Sequence, residues 1–191
     1  MKNIHLASDG QTSPQKLLVS LYWDLQNVYS MQGQANLLLD FASSKGRLDC
    51  KRVYYNSQHK NQAAAKNNLD SLGFNCLDVP CSLKNSADHR LIADCISRVA
   101  LKPSPDIIIL VLGDRDFAGL ICVLRSLGKK VIIFAQRGSE SKKLIKIACE
   151  FHFVEELPQL VAEAKPQTTS VQSQPCTNYR KVPGIIFNHG R

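Results

Sequence analysis

The sequence lacks any apolar run that approaches the ~20 residues needed to span a bilayer, and its first residues contain no apolar segment typical of a secretion signal. It also lacks a CxxC pair, although it contains 7 cysteines, most of which lie inside apolar runs. Cysteines in this arrangement are typical of reduced, buried thiols rather than of disulfides or zinc sites. These absences predict a cytoplasmic protein that does not associate with membranes.

Acidic residues are the minority among the charged side chains. The chain has 16 Asp and Glu against 24 Lys and Arg, which gives a formal net charge of +8 at pH 7. A basic excess favours a polyanionic partner, most simply nucleic acid, because binding releases the counterions of the neutralised phosphates. The basic residues are spread over several segments, so the charge alone does not locate a binding site.

Hydrophobic periodicity is missing at both ends of the chain. Residues 1–15 are polar, and residues 165–191 mix Pro, Thr, Ser and Gln with little pattern. We therefore predict flexible segments at 1–15 and 165–191, and a single folded domain over residues 16–164.

Within the predicted domain, short apolar runs alternate with stretches of helical periodicity. The predicted strands are Leu17–Trp23, Arg52–Tyr55, Asn75–Val79, Ile107–Leu112, Val131–Ala135 and Phe151–Val154. The predicted helices are Ala35–Ser44, Gln62–Leu72, Ser86–Leu101, Phe117–Leu127, Glu140–Ala148 and Glu156–Glu163. Three glycines, Gly46, Gly73 and Gly128, follow helices at the position where a left-handed residue ends a helix. This alternation predicts an α/β, Rossmann-like fold with a parallel sheet of about five to six strands and helices on both faces.

Acidic side chains follow two of the predicted strands. Asp24 ends the first strand in "WDLQN", with Asn27 just beyond it, and Asp114 and Asp116 follow the fourth strand in "GDRDF". In open α/β sheets the ligand site lies at the carboxyl ends of the strands, beside the point where the strand order reverses. If these two strands are neighbours there, the three carboxylates meet in one crevice.

The helix predicted at Ser86–Leu101 adds a further carboxylate. Its apolar residues recur at helical spacing, and Asp88 falls near the centre of that apolar face, where a charged group needs a partner. Asp94 lies outside the face, within reach of Arg90 and Arg98, so an ion-paired surface residue is the better interpretation for it.

Several carboxylates in one crevice repel one another unless a cation lies between them. Oxygen ligands without nearby His or Cys select a hard ion, Mg²⁺ or Mn²⁺. Such an ion in a basic protein suits phosphodiester hydrolysis, because it makes water more acidic and polarises the phosphoryl oxygen. Each aspartate taken alone could equally be a turn or cap residue.

The same motifs resemble the NYN domain family, the LabA-like branch of the PIN-like nucleases. They are "WDLQNV", "KNSADHRLIAD" and "GDRDFAGLICVLRSLGKKVIIF", followed by the closing segment "SESKKLIKIACEFHFVEEL". The resemblance covers about Leu17 to Leu160, with matching order and spacing. The chain departs from it at Leu112, where the family often has a serine that could hydrogen-bond a metal-bound carboxylate.

The resemblance implies a Mg²⁺- or Mn²⁺-dependent endoribonuclease, and we expect its substrate to be single-stranded RNA. It places Asp24, Asp88, Asp114 and Asp116 around the metal, with Asn27 orienting Asp24 or a water, and it makes Asp94 a further candidate ligand. For RNA binding, Lys84 matches a family position. Arg137, Lys142 and Lys143 lie in "RGSESKK", where a helix beginning at Ser139 or Ser141 would offer free N–H groups to a phosphate.

A second interpretation stays open. Proteins of this family also act as regulatory modules, so the same fold could serve as a non-catalytic RNA-binding or protein-interaction module. A homodimer or a regulatory protein partner belongs to this alternative.

Overall fold

The computed structural model describes residues 16–80 and 86–164, which form an α/β fold built on one parallel sheet. Six strands lie in the order β3-β2-β1-β4-β5-β6, and every neighbouring pair is parallel. The strands are β1 (Leu18–Asp24), β2 (Arg47–Tyr55), β3 (Asn75–Asp78), β4 (Ile107–Val111), β5 (Lys130–Ala135) and β6 (Glu150–Phe153). The predicted Rossmann-like sheet is thus confirmed.

A helix follows each of the six strands. The helices are α1 (Ala35–Lys45), α2 (Lys60–Ser71), α3 (Ser86–Ala100), α4 (Ala118–Ser126), α5 (Lys142–Ile147) and α6 (Leu157–Ala164). Short 3-10 turns precede α1, α4 and α6 at Tyr29–Gln34, Arg115–Phe117 and Val154–Glu156. Within the described residues, no helix has the length and apolar character that crossing a membrane requires.

The central strands are buried on both sides, which explains their continuous apolar composition. Successive side chains of a strand point to opposite faces, so Leu21 and Trp23 join one core cluster and Tyr22 joins the other. Leu38 of α1 packs in the first cluster, and Leu91 of α3 packs in the second. Two separate cores therefore hold the helices on the two faces of the sheet.

Strands β1 and β4 are neighbours at the point where the strand order reverses. Their register pairs Trp23 with Val111, so the last residues of both strands reach the same edge of the sheet. Helix α3 connects β3 to β4 and packs on β1 and β2 on its way. This path places its first turn near the carboxyl end of β1, as the site prediction requires.

One predicted bound, the start of β2, lies more than two residues from the observed one. β2 begins at Arg47 rather than Arg52, because its first five residues alternate polar and apolar and pair with β1 while half-exposed. α5 begins at Lys142 rather than Glu140, since Ser141 has extended backbone angles and caps the helix. The other predicted bounds lie within two residues of the observed ones.

The prediction for the three helix-ending glycines was right for two of them. Gly73 and Gly128 have φ of 76° and 73°, the left-handed conformation that glycine adopts without a steric penalty. Gly46 instead has extended angles, and a Cβ there would overlap the carbonyl group of Leu17. Close approach to the start of β1, not a left-handed turn, requires this glycine.

The predicted flexible segments 1–15 and 165–191 lie outside the described residues, as does Lys84.

Candidate active site

Asp24 is the last residue of β1, and its side chain is buried at the edge of the sheet, with 3% of the residue exposed. Its Oδ1 accepts hydrogen bonds from the backbone N–H groups of Gln26 (3.1 Å) and Asn27 (3.4 Å). The chain turns here, and the carboxylate binds the amides that the turn frees. The bonds hold Asp24 in place beside the first turn of α3.

Asp88, in the first turn of α3, is the closest acidic partner of Asp24. Burial raises the pKa of Asp24 to about 7, and the charge of Asp88 adds to that rise. Asp24 in its protonated form hydrogen-bonds the Asp88 carboxylate. The two carboxyls therefore share a proton near neutral pH when no cation is present.

Asp114 and Asp116 lie across from this pair, in the 3-10 turn that follows β4. Asp114 caps the turn, and its Oδ1 accepts the N–H of Asp116 at 3.1 Å. Partial burial and then the charges of these two residues raise the pKa of Asp88. The structure therefore brings Asp88 within electrostatic reach of the other three predicted carboxylates, although the four come from three separate segments of the chain.

Asn27 connects the ends of β1 and β4. Its Oδ1 accepts the N–H of Gly113 at 2.7 Å, while its own backbone N–H donates to Asp24. The resemblance implies that Asn27 orients Asp24 or a water; its backbone N–H does contact Asp24, and its side-chain bond to Gly113 is a contact that the motif did not indicate. A Cβ on Gly113 would lie 2.9 Å from the Ser139 carbonyl oxygen, so this junction also requires a glycine.

A cavity of about 380 Å³ opens beside Asp114. It is lined by Asn27, Gly113, Asp114, Arg115 and residues 139–141. Arg115 and Glu140 were not among the predicted site residues. Arg115 could have been noticed because it lies between two predicted site aspartates, whereas only the packing of the loop after β5 against Gly113 brings Glu140 to the cavity.

The Asp94 carboxylate contacts hydrogen-bond donors and none of the other predicted site carboxylates. Its Oδ2 lies 3.0 Å from the Tyr54 hydroxyl, 3.1 Å from Arg90 Nε and 3.2 Å from Arg52 Nη1. Arg98, the other partner considered for it, pairs instead with Asp49. These contacts favour the ion-paired interpretation of Asp94 over the metal-ligand interpretation.

The three described candidates for RNA binding differ in their surroundings. Arg137 is engaged: its Nη2 lies 3.0 Å from Glu156 Oε1, and its guanidinium lies 4.0 Å from the centre of the Phe153 ring. Lys142 and Lys143 are exposed in the first turn of α5, and neither pairs with an acidic side chain within the described segments. The two lysines are therefore better placed than Arg137 to meet a phosphate.

The amides expected to receive a phosphate in this segment already have partners. The N–H of Gly138 donates to Glu140 Oε2, that of Ser139 to the Gln136 carbonyl, and that of Ser141 to the Gly113 carbonyl. The N–H of Lys143 donates to the Ser141 hydroxyl. A helix does begin after Ser141, one of the two predicted positions, but the amides of Ser139, Ser141 and Lys143 are engaged because the loop folds back on itself and on β4.

The donor set fits a hard cation, since carboxylate and amide oxygens are the groups that such ions prefer. The raised pKa of Asp24, caused by burial and then by the charge of Asp88, is in keeping with a site where a cation would offset negative charge. Over residues 16–80 and 86–164, however, no three His, Cys, Asp or Glu side chains are grouped closely enough to hold a metal ion as they stand.

A Rossmann-like sheet with an acidic crevice at its reversal point is consistent with the class of PIN-like, nuclease-related proteins. The NYN domain family model matches residues 18–155, and the chain belongs to this family. Among solved structures, a protein of unknown function from Vibrio parahaemolyticus is similar, with a TM-score of 0.65 and 25% identity. The match covers 77% of this chain and 98% of that chain. None of the curated proteins matches the sequence.

Proposed function

We propose that the protein is a metal-dependent ribonuclease that cleaves RNA phosphodiester bonds endonucleolytically. The observation that carries this proposal is the gathering of Asp24, Asp88, Asp114 and Asp116 at one edge of the sheet, close enough to raise the pKa of Asp24 and Asp88. Raised carboxyl pKa values in a crevice are typical of functional sites. Membership of a nuclease-related family gives independent support.

In this proposal the four aspartates hold Mg²⁺ or Mn²⁺. When bound, the cation supplies a Lewis acid that polarises a phosphoryl oxygen and makes water more acidic. The chain's own contribution is positioning: Asn27 ties the end of β1 to Gly113 and so fixes the spacing between Asp24 and Asp114.

Basic residues around the acidic edge would hold the RNA through its phosphates. Lys142 and Lys143 offer exposed ammonium groups on α5, and Arg137 can contribute once its pairing with Glu156 is exchanged for a phosphate. Lys84 precedes α3 in the sequence, close to Asp88, and remains a candidate from sequence alone. Such contacts position the substrate without reading its sequence.

The decisive experiment is cleavage of labelled single-stranded RNA by the purified protein with Mn²⁺, with Mg²⁺ and with EDTA. Cleavage that requires the cation and disappears in Asp114→Asn supports the proposal. Lys129→Ala, a change at a half-exposed position between α4 and β5 and outside the cavity lining, is the matched control and should cleave like the wild type. Cleavage that persists in EDTA would contradict the metal-dependent mechanism.

A non-catalytic RNA-binding or regulatory module is the second candidate. Two observations favour it: the four carboxylates do not close around one ion position in the described residues, and fully buried Leu112 replaces a serine common in the family. This candidate predicts RNA binding in EDTA without cleavage in any cation. It also accommodates a homodimer or a regulatory protein partner, which chromatography with light scattering would detect.

A further inference from the structure

The cavity beside Asp114 has a composition that indicates which part of a substrate it receives. Its lining residues include the basic Arg115, the acidic Asp114 and Glu140, and Ser139 and Ser141, which carry hydroxyl groups. None of the described residues that line it is aromatic. Nucleic-acid sites that hold bases do so largely by stacking them on aromatic rings, so this cavity suits the sugar and phosphate of a nucleotide and not its base.

Arg115 is the cationic member of the cavity and is only weakly engaged. Its side chain is 81% exposed, and its nearest ion-pair distance is 4.0 Å, from Nε to Asp116 Oδ1. Arginine binds phosphate in bidentate fashion through its planar guanidinium. Since Arg115 lies between Asp114 and Asp116 in the sequence and lines the same cavity as Asp114, a phosphate bound to it would lie next to the acidic edge.

Glu140 is an acidic residue of the same cavity lining and can accept hydrogen bonds. Its Oε2 accepts the N–H of Gly138 at 2.5 Å, which holds the carboxylate in a defined orientation. A carboxylate offers about four acceptor positions, so this bond leaves capacity for a further donor. A ribose 2′-hydroxyl is such a donor, and deoxyribose has none at that position.

We infer that this cavity binds one ribose-phosphate unit of the substrate strand, with Arg115 on the phosphate and Glu140 accepting the 2′-hydroxyl. The inference rests on the proposed ribonuclease function and specifies how the site would distinguish RNA from DNA. The site should prefer RNA to DNA, because a deoxyribose offers no hydroxyl to the Glu140 carboxylate and leaves that negative charge unpaired beside the phosphates. The site should not distinguish between bases.

The test is fluorescence anisotropy in EDTA with a short labelled oligouridine and its deoxyuridine counterpart, at several salt concentrations. Arg115→Ala should weaken binding of both oligonucleotides about tenfold. It should also reduce the slope of log K against log salt by about 0.7, the value for one single-strand phosphate contact. Lys129→Ala removes the same charge away from the cavity and should change neither quantity.

The sugar contact has a separate readout, the ratio of the two dissociation constants. Glu140→Ala should reduce the preference for RNA at least threefold, mainly by strengthening the binding of DNA, whereas Glu155→Ala on the exposed turn before α6 should leave the ratio unchanged. Glu140→Gln keeps an acceptor oxygen for Gly138 and for the hydroxyl, so it should retain more of the preference. A ratio is insensitive to partial loss of folded protein, which makes the comparison valid even if the loop is weakened.

Equal affinities for Arg115→Ala and Lys129→Ala would overturn the phosphate contact, and an unchanged ratio in Glu140→Ala would overturn the sugar contact. RNA binding that neither cavity variant alters would remove this inference and leave the proposed function intact. Failure of the wild type to bind either oligonucleotide would remove both.

Discussion

Replacing Asp24 with Asn should stabilise the metal-free protein, and the gain should depend on pH. The side chain is buried, and its pKa is raised from 3.8 to about 7 by burial and by the charge of Asp88. The folded state therefore binds a proton at Asp24 over a pH range in which the unfolded state has released it. Stability contributed by this proton is fully present below pH 4 and is lost as the pH rises through 7.

The size of this stability change follows from the width of the pH range between the two pKa values of Asp24. Each unit of pKa difference between the folded and unfolded states corresponds to about 1.4 kcal/mol, so the full loss between pH 4 and pH 7 is about 4 kcal/mol. An asparagine occupies nearly the same volume and carries no charge. Asp24→Asn should therefore match the wild type near pH 4 and exceed its free energy of unfolding by up to about 4 kcal/mol at pH 8.

The measurement is urea unfolding in EDTA, followed by circular dichroism at intervals of pH from 4 to 8. The quantity to plot is the difference in unfolding free energy between variant and wild type, which removes the contribution of groups that titrate alike in both. Asp40→Asn, the same change at an exposed position of α1, is the matched control and should give a flat line near zero. A flat line for Asp24→Asn as well would show that Asp24 is ionised in the fold and would refute the shared-proton description of the site.

Four further predictions concern the same edge of the sheet. Asp114→Asn should abolish RNA cleavage while the circular dichroism spectrum stays that of the wild type, because it removes a cation ligand from a half-exposed turn; a gel assay that shows unchanged cleavage would take the residue out of the mechanism. Mn²⁺ should raise the melting temperature of the wild type, by the equivalent of about 2.7 kcal/mol at a hundredfold excess over Kd. An identical rise in the Asp24→Asn, Asp116→Asn double variant would place the cation elsewhere. Leu112→Ser should lower the unfolding free energy by about 2 to 4 kcal/mol in urea titrations, because the leucine is fully buried. The smaller serine leaves a cavity and buries a hydroxyl group. Asn27→Ala should cost about 1 to 3 kcal/mol of stability by leaving a strand-end amide without its 2.7 Å acceptor, and should reduce cleavage more than this loss of folded protein explains.

The fold was accessible from sequence because its signals are local. Apolar runs that end at turn residues mark buried strands, and helical spacing marks the segments between them, so the alternation that defines a parallel sheet is visible without long-range information. The start of β2 was missed although its signal is local too. The residues from Arg47 to Lys51 alternate between polar and apolar, the pattern of a half-buried strand, whereas the predicted strand began where that alternation ends, at Arg52.

The sequence by itself also determined the acidic character of the site, because Asp24, Asp114 and Asp116 end strands and Asp88 lies on an apolar helix face. It could not decide that these residues meet. That depends on β1 lying next to β4 and on α3 packing across β1, arrangements set by the summed burial of two cores rather than by any local motif.

Tertiary structure alone decided which polar groups remain available to a ligand. Arg137 and Asp94 are engaged with partners far away in the sequence, at Glu156 and Tyr54, whereas Arg115 lies largely exposed at the cavity. Glu140 reaches that cavity only because the loop after β5 packs on Gly113. A side chain's charge is a property of the sequence, but its partners are fixed by contacts between distant segments, and those contacts exist only once the chain has folded.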